Sequence, residues 1–117
     1  MMRVLYVTYT YMLLTTTNTV EGKTIREYKG MVSSDVIYGA HVGRDILASM
    51  RDFFGGRSRT YEKLLMEAKQ EAKKELEERA TAMGANAVIA IDFEFATVGM
   101  QGSMLMVNAT GTAVVLS

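Results

Sequence analysis

The fold of this chain is decided by residues 58–84, which read SRTYEKLLMEAKQEAKKELEERATAMG. Apolar residues recur there at every third or fourth position, the spacing of one face of an α-helix. Ser58 is a favourable N-cap, and Gly84 can adopt the left-handed conformation that often ends a helix. We therefore predict one long amphipathic helix, whose apolar stripe consists of Tyr61, Leu65, Ala68, Ala72, Leu76, Ala80 and Met83.

The composition sets the size and class of the protein. A chain of 117 residues is long enough for one domain with a hydrophobic core. Its 13 basic residues balance its 13 acidic ones, so it lacks the positive field of nucleic-acid-binding proteins. The absence of cysteine excludes disulfides and thiolate metal sites. We expect a soluble cytoplasmic protein without nucleic-acid or membrane partners.

Residues 1–11 are predicted to be an N-terminal extension in front of a single domain at 12–117. Their apolar run contains threonine and tyrosine, and no small-residue cleavage site follows it, which argues against a signal peptide. The run is also too short to span a bilayer. An additional edge strand or an extension outside the core is the better interpretation.

Four strands and a second helix are predicted around the long helix. A helical pattern with the apolar residues on one face covers residues 41–54. Alternating or β-branched runs predict strands at 13–17, 25–32, 87–97 and 103–116. The strand at 25–32 has no purely apolar side, so we expect it at an edge of the sheet.

Three local features refine these strands. Ser33-Ser34-Asp35 is predicted to end the second strand, and Gly99 to Gly102 to form a hairpin connection. Gly111 interrupts the last strand at a position that suits a bulge or a close backbone approach. Simple alternation in the third strand separates Ala87, Ile89, Ile91, Phe93 and Phe95 from Val88, Ala90, Asp92, Glu94 and Ala96.

The order β-β-α-α-β-β predicts an α+β fold in two layers, with an antiparallel sheet and the long helix packed on one face. The second face of that sheet has no predicted element to cover it. Exposed apolar area of this extent usually marks an interface, so we expect a closed homo-oligomer. The residues expected on this uncovered face are Val88, Ala90, Met104, Met106, Val114 and Leu116.

Several spaced motifs between Met12 and Val115 resemble the YbjQ-like family of small bacterial and archaeal proteins. The extension at residues 1–11 lies outside the family pattern. The motifs that carry the resemblance are Thr15-Thr16-Thr17, Glu21-Gly22-Lys23, Gly39-Ala40, Arg44-Asp45, Gly55-Gly56-Arg57-Ser58 with Tyr61-Glu62, Gly84-Ala85-Asn86-Ala87-Val88 and Gly102-Ser103-Met104-Leu105-Met106-Val107.

This resemblance implies a fold related to dodecin subunits and assembly as a homopentameric ring. It also implies the family's heavy-metal-binding label, although no biochemical function beyond that label follows from it. The chain has no cysteine, and its one histidine, His41, stands where the family is expected to have asparagine. Thiolate donors are therefore absent from this sequence, although Met104 and Met106 share a strand face and carry thioethers, which are soft donors.

Asp92 and Glu94 are the candidate metal ligands. They are two positions apart on a predicted strand, so their carboxylates project from the same face. Repeated around a ring axis, such a pair makes an oxygen-rich site for a divalent cation. The alternative is an ordinary solvated strand face, or ion pairs with a neighbouring subunit.

Gly55, Gly56, Arg57, Ser58 and Tyr61 are the candidate ligand- or anion-binding residues. The loop precedes a helix N-terminus, where free N–H groups and the helix dipole favour an anion. The spacing is not that of a Walker loop. The structural alternative assigns the glycines to the turn, Ser58 to the cap and Arg57 to a subunit interface.

No catalytic constellation is present, because no nucleophile has a base nearby in the sequence and there is no dinucleotide-binding fingerprint. His41 is a single potential ligand, and the methionines suit packing better than metal binding. The sequence thus favours a non-enzymatic binding module with sites at subunit junctions or on the ring axis. The alternatives are an enzyme with an inter-subunit site at Arg57, Ser58, Tyr61 and Asp92, and a structural or partner-binding assembly.

Overall fold

The computed structural model of the protein describes residues 12–38, 59–98 and 104–117. Within these ranges the elements follow the order β1 (Leu13–Leu14), β2 (Ile25–Tyr38), α1 (Arg59–Ala82), β3 (Ala87–Val98) and β4 (Met104–Leu116). The predicted extension at 1–11, the predicted helix at 41–54 and the predicted connection at 99–102 lie outside the described residues.

Helix α1 confirms the prediction made from residues 58–84. Gly84 has a φ of 85°, and the amide of Ala85 donates to the carbonyl of Ala80 at 3.1 Å, so the helix ends in a left-handed residue as expected. The buried stripe runs in steps of four residues, which lets the helix lie close to the sheet on small side chains. The prediction placed Leu65 in this stripe, but Leu65 is only half-buried and Leu64 takes its place. The buried residues of the stripe are Leu64, Ala68, Ala72, Leu76 and Ala80.

The sheet has the strand order β1-β3-β4-β2. Strands β2 and β3 both run antiparallel to β4, but β1 runs parallel to β3. The sheet is therefore mixed, and the prediction of a purely antiparallel sheet was wrong at this edge. A parallel neighbour needs a long crossover connection, and the chain between β1 and β3 contains α1 and thus supplies one.

Strand β1 is shorter than predicted and β2 is longer. After Leu14 the side chains of Thr15 and Thr17 bond locally, with their hydroxyl oxygens 2.9 Å apart, and the chain leaves regular strand geometry. In β2 the predicted break at residues 33–35 does not occur. Ser34 is fully buried there, and its hydroxyl donates to the α1 carbonyl of Ala72 at 2.7 Å. This hydrogen bond to the helix stabilises Ser34, a residue type common in turns, inside the strand.

A bulge in β3 changes which residues face the helix. Ala90 has a φ of 55°, and the β3–β4 register shifts between Ile89 and Asp92. Gly111 lies opposite this bulge on β4, which confirms the expectation of a close backbone approach there. Because the bulge reverses the alternation, Val88 packs with the helix side of the core, and its prediction for the uncovered face was wrong.

The residues that the structure describes cover the sheet face away from α1 only in part. At one end a small cluster, built by Ala87, Ile89 and Val114, packs with Val20, Ile25, Ala90 and Leu116, so the chain itself covers Ala90, Val114 and Leu116 there. The described ranges leave the rest of this face accessible. We call it the open face and define it by Met31, Asp35, Ile37, Asp92, Glu94, Met104, Met106, Asn108 and Thr110.

Candidate functional site

The predicted metal ligands Asp92 and Glu94 both lie on the open face. They follow the β3 bulge, and in the ladder to β4 they stand opposite Thr110 and Asn108 respectively. Both are exposed. The structure therefore confirms that their side chains share a face, although that face is set by the bulge and not by simple alternation from Ala87.

A third carboxylate joins this row from β2. Asp35 stands opposite Asn108 on the other side of β4, so Asp35, Asn108 and Glu94 form one line across three strands. The Asn108 amide donates to the Asp35 carboxylate at 2.7 Å and to the Ser34 carbonyl at 3.3 Å. With both N–H groups directed to β2, the amide oxygen of Asn108 remains as an acceptor. We call Asp35, Asp92, Glu94 and Asn108 the acidic row.

The acidic row offers carboxylate and amide oxygens, which are the donors that hard divalent cations prefer. One copy does not complete a metal site, because no three His, Cys, Asp or Glu residues converge on a common point among the described residues. Asp35 was missed in the sequence because it lies 73 positions from Asn108 and was assigned to a turn. Only the register between β2 and β4 brings the two together.

Of the five predicted anion-binding residues, one lies in a described element. Gly55, Gly56, Arg57 and Ser58 lie outside the described residues. Tyr61 falls in the first turn of α1, where the backbone is helical. Its membership in a ligand site stays a prediction.

A separate recess of about 180 Å³ lies where α1 meets the β1–β3 edge. Lys69 and Lys73, one helical turn apart on α1, form its basic side. The Lys69 ammonium lies 5.7 Å from the Phe93 ring centroid and 5.8 Å from that of Phe95, within the range of a cation–π interaction. We call this feature the basic recess; it is lined by Leu14, Thr15, Thr16, Lys69, Lys73, Ile91 and Phe93.

The opposite flank of α1 is acidic. Tyr38 at the end of β2 lies near it, and burial, followed by the negative charges of Glu67 and Glu71, raises the pKa of its phenol above 10.0. Outward from the sheet, α1 borders a wide open recess of about 770 Å³ that mixes both charge signs. That recess is lined by Glu62, Lys63, Met66, Glu67, Gln70, Glu71 and Lys74.

These features define a class of small α+β protein, in which, over the described residues, one long helix covers one face of a four-stranded mixed sheet. The chain belongs to the YbjQ family, whose model is described as "Putative heavy-metal-binding" and matches residues 12–117. The resemblance inferred from the sequence motifs is thus confirmed.

Relatives of similar length occur in distant bacteria. The chain is 50% identical over 105 residues to a UPF0145 protein of Caulobacter vibrioides, covering 90% of this chain and 100% of the relative. It is 53% identical over 105 residues to a UPF0145 protein of Clostridium kluyveri, covering 90% and 99%.

A solved structure shares the fold. It is a protein of unknown function from Pediococcus pentosaceus, belonging to the DUF74 family, and matches with a TM-score of 0.58 at 19% identity. The match covers 91% of this chain and 98% of that chain. In the part of the chain that is described, no helix is long and apolar enough to cross a membrane.

Proposed function

We propose that this protein is a non-enzymatic binding module that works as a closed homo-oligomer and binds a divalent cation where copies meet. The observation that carries the proposal is the open face, on which accessible apolar side chains surround the acidic row. Five copies, a cytoplasmic location and a ligand site at the subunit junctions or on the ring axis are parts of the same proposal.

The apolar part of the open face supports self-association. Met31 is 82% exposed and Ile37 is 54% exposed, and both lie on β2 at the edge of the sheet. Among residues 12–38, 59–98 and 104–117, strand β2 pairs only with β4, so these residues leave the backbone groups on its outer side to another strand. A second copy placed there covers side chains and strand edge together, and methionine packs well at such irregular contacts.

The acidic row supports a cation as the ligand. Asp35, Asp92 and Glu94 place three carboxylates on the same sheet face, a surface that self-association takes out of water. Like charges in such a place raise the free energy of the assembly unless a cation neutralises them. Several copies together supply the number of oxygen donors that a single copy lacks.

The donor chemistry favours a hard cation over a heavy metal. The sequence contains no cysteine, so thiolate sites are excluded, and each copy supplies only one histidine. Oxygen donors of the kind present in the acidic row suit Mg²⁺, Ca²⁺ or Mn²⁺.

Calorimetric titration of metal-free protein tests the cation. We expect saturable heat with one of Mg²⁺, Ca²⁺ or Mn²⁺. The double variant Asp92→Asn/Glu94→Gln should lose that heat. The control Glu78→Gln, which changes an exposed carboxylate on α1, should retain it. Equal heat in the double variant overturns the acidic row as the site.

Sedimentation velocity tests the assembly separately. We expect one species of several copies at micromolar concentration, and a folded single chain there refutes the oligomer. A stable oligomer that takes up no cation supports a purely structural assembly instead and refutes the binding function.

A further inference from the structure

The basic recess has two lysines and no acidic residue in its described lining. Lys69 and Lys73 are one turn apart on α1, where like charges repel each other. Among residues 12–38, 59–98 and 104–117, no ion pair joins Lys69 or Lys73 to a carboxylate, in contrast to Lys29, which pairs with Glu27, and Arg79, which pairs with Glu75. An anion in the recess therefore relieves the repulsion between these two ammonium groups.

The cation–π contacts hold one of the two charges in position. The Lys69 ammonium is nearly equidistant from the Phe93 and Phe95 rings, at 5.7 and 5.8 Å from their centroids. Two ring contacts restrict a side chain that otherwise has high rotamer entropy. The recess thus presents one positioned ammonium, and Lys73 adds a second from the next turn.

The threonine segment after β1 adds a neutral donor. The Thr17 hydroxyl donates its one hydrogen to the Thr19 carbonyl at 2.6 Å. The Thr15 hydroxyl, 2.9 Å from that of Thr17, must therefore be the donor of their shared bond, and its oxygen also accepts from the Thr17 amide at 3.1 Å. Neither the hydroxyl nor the amide of Thr16 donates to another residue in the described ranges, so both are available to a ligand.

The remaining wall of the recess is apolar. It is formed by Leu14 on β1 and by Ile91 and Phe93 on β3. The volume of about 180 Å³ equals the liquid volume of about six water molecules, since each occupies roughly 30 Å³. A ligand of this size combines a charged head group with only a short apolar body.

We propose that the basic recess binds a small organic anion. The carboxylate or phosphate head group accepts hydrogen bonds from Lys69, Lys73 and Thr16, and the short apolar body lies on Ile91 and Phe93. The recess is on the helix side of the sheet, opposite the acidic row, so this site is independent of the proposed cation site.

An NMR titration of the isotope-labelled full chain tests the proposal, with butyrate and ethyl phosphate as the two probes and 1-butanol as the neutral control. The ionic strength is held constant, because salt screens exposed charges. We expect at least one anion to cause saturable shifts centred on the amides of Thr16 and Phe93, and 1-butanol to cause none. The stronger probe identifies the head group as carboxylate or phosphate.

Matched lysine variants separate a defined site from general attraction. Lys73→Gln should weaken binding about tenfold, in line with the loss of one charge-assisted hydrogen bond at a partly exposed position. Lys74→Gln removes the same charge from the outward face of α1 and should leave binding unchanged. The proposal is overturned if neither anion saturates, if 1-butanol causes the same shifts, or if both variants weaken binding equally.

Discussion

Substitution of Gly111 by alanine should destabilise the protein strongly for its size, because the β3 bulge occupies the space that a side chain needs. A Cβ at this position would lie 2.6 Å from Val88 Cγ1, 3.1 Å from the Ile89 carbonyl oxygen and 3.1 Å from Ile91 Cγ1. Ordinary contacts between carbon atoms are about 3.5–4.0 Å, so the nearest neighbour must move by roughly 1 Å. Val88 is fully buried and the second contact is backbone, so neither moves easily.

The expected cost follows from two opposing terms. Overpacking of a well-packed core costs about 1–3 kcal/mol, and the buried, partly backbone contacts place this site near the upper end. The loss of glycine from the unfolded chain offsets about 0.4–1 kcal/mol of that cost. We therefore expect the free energy of unfolding to fall by about 2 kcal/mol.

Urea denaturation at fixed protomer concentration measures this change, since any association makes stability depend on concentration. Gly22→Ala is the control, because Gly22 has a φ of 82° but a Cβ added there would meet nothing within 4 Å, so it reports backbone strain alone. It should cost about 1 kcal/mol. A Gly111→Ala protein whose free energy of unfolding matches that of the parent would refute the steric argument.

A double-mutant cycle makes the test specific to the bulge contact. Val88→Ala removes the Cγ1 atom that the new methyl group meets at 2.6 Å. Combined with Gly111→Ala, it should cost less than the sum of the two single changes, with a coupling energy of about 1 kcal/mol. Strict additivity would show that the two positions do not share the same space.

Three further predictions concern individual contacts. Ser34→Ala should lower the free energy of unfolding by about 1 kcal/mol in urea denaturation, since it removes a buried 2.7 Å bond to a helix carbonyl; no change would contradict that bond. Asn86→Ala should lower it by about 1–2 kcal/mol and speed amide exchange at the end of β4, because Asn86 makes two bonds there at 3.0 and 2.8 Å. The pKa of the Tyr38 phenol should be raised in the folded protein. Its contribution to the free energy of unfolding is therefore complete below the pKa of the unfolded state and is lost as the pH rises through the pKa of the folded state. An NMR titration of the Tyr38 ring signals measures that pKa, which Glu67→Gln should lower, with Glu71→Gln acting in the same direction.

The long helix was predictable because its signals are local. The alanine-rich stripe, the charged outer positions and Gly84 all act within a few turns of the same segment, and α1 spans Arg59–Ala82 as a result. Gly111 was also informative by itself, because a glycine inside a strand pattern indicates a close approach. The family was evident from motifs spread along the chain, and the match over residues 12–117 agrees.

The sites were predictable only in part. Asp92 and Glu94 share a face wherever the strand lies, since they are two positions apart. Their neighbour Asp35 could not be found, because Ser33-Ser34-Asp35 has the composition of a turn. The basic recess was missed as well, since its lysines and Thr16 are far apart in the chain and have no common motif.

The sequence alone determined where the helix and the last strand form, because helix periodicity, capping and alternation are properties of neighbouring residues. Tertiary structure decided the rest. The bulge at Ala90 turned Val88 toward the helix, the bond from Ser34 carried β2 through to Tyr38, and the crossover connection set β1 parallel to β3. Each of these depends on atoms distant in the chain, and so does every surface on which this protein is proposed to bind a ligand.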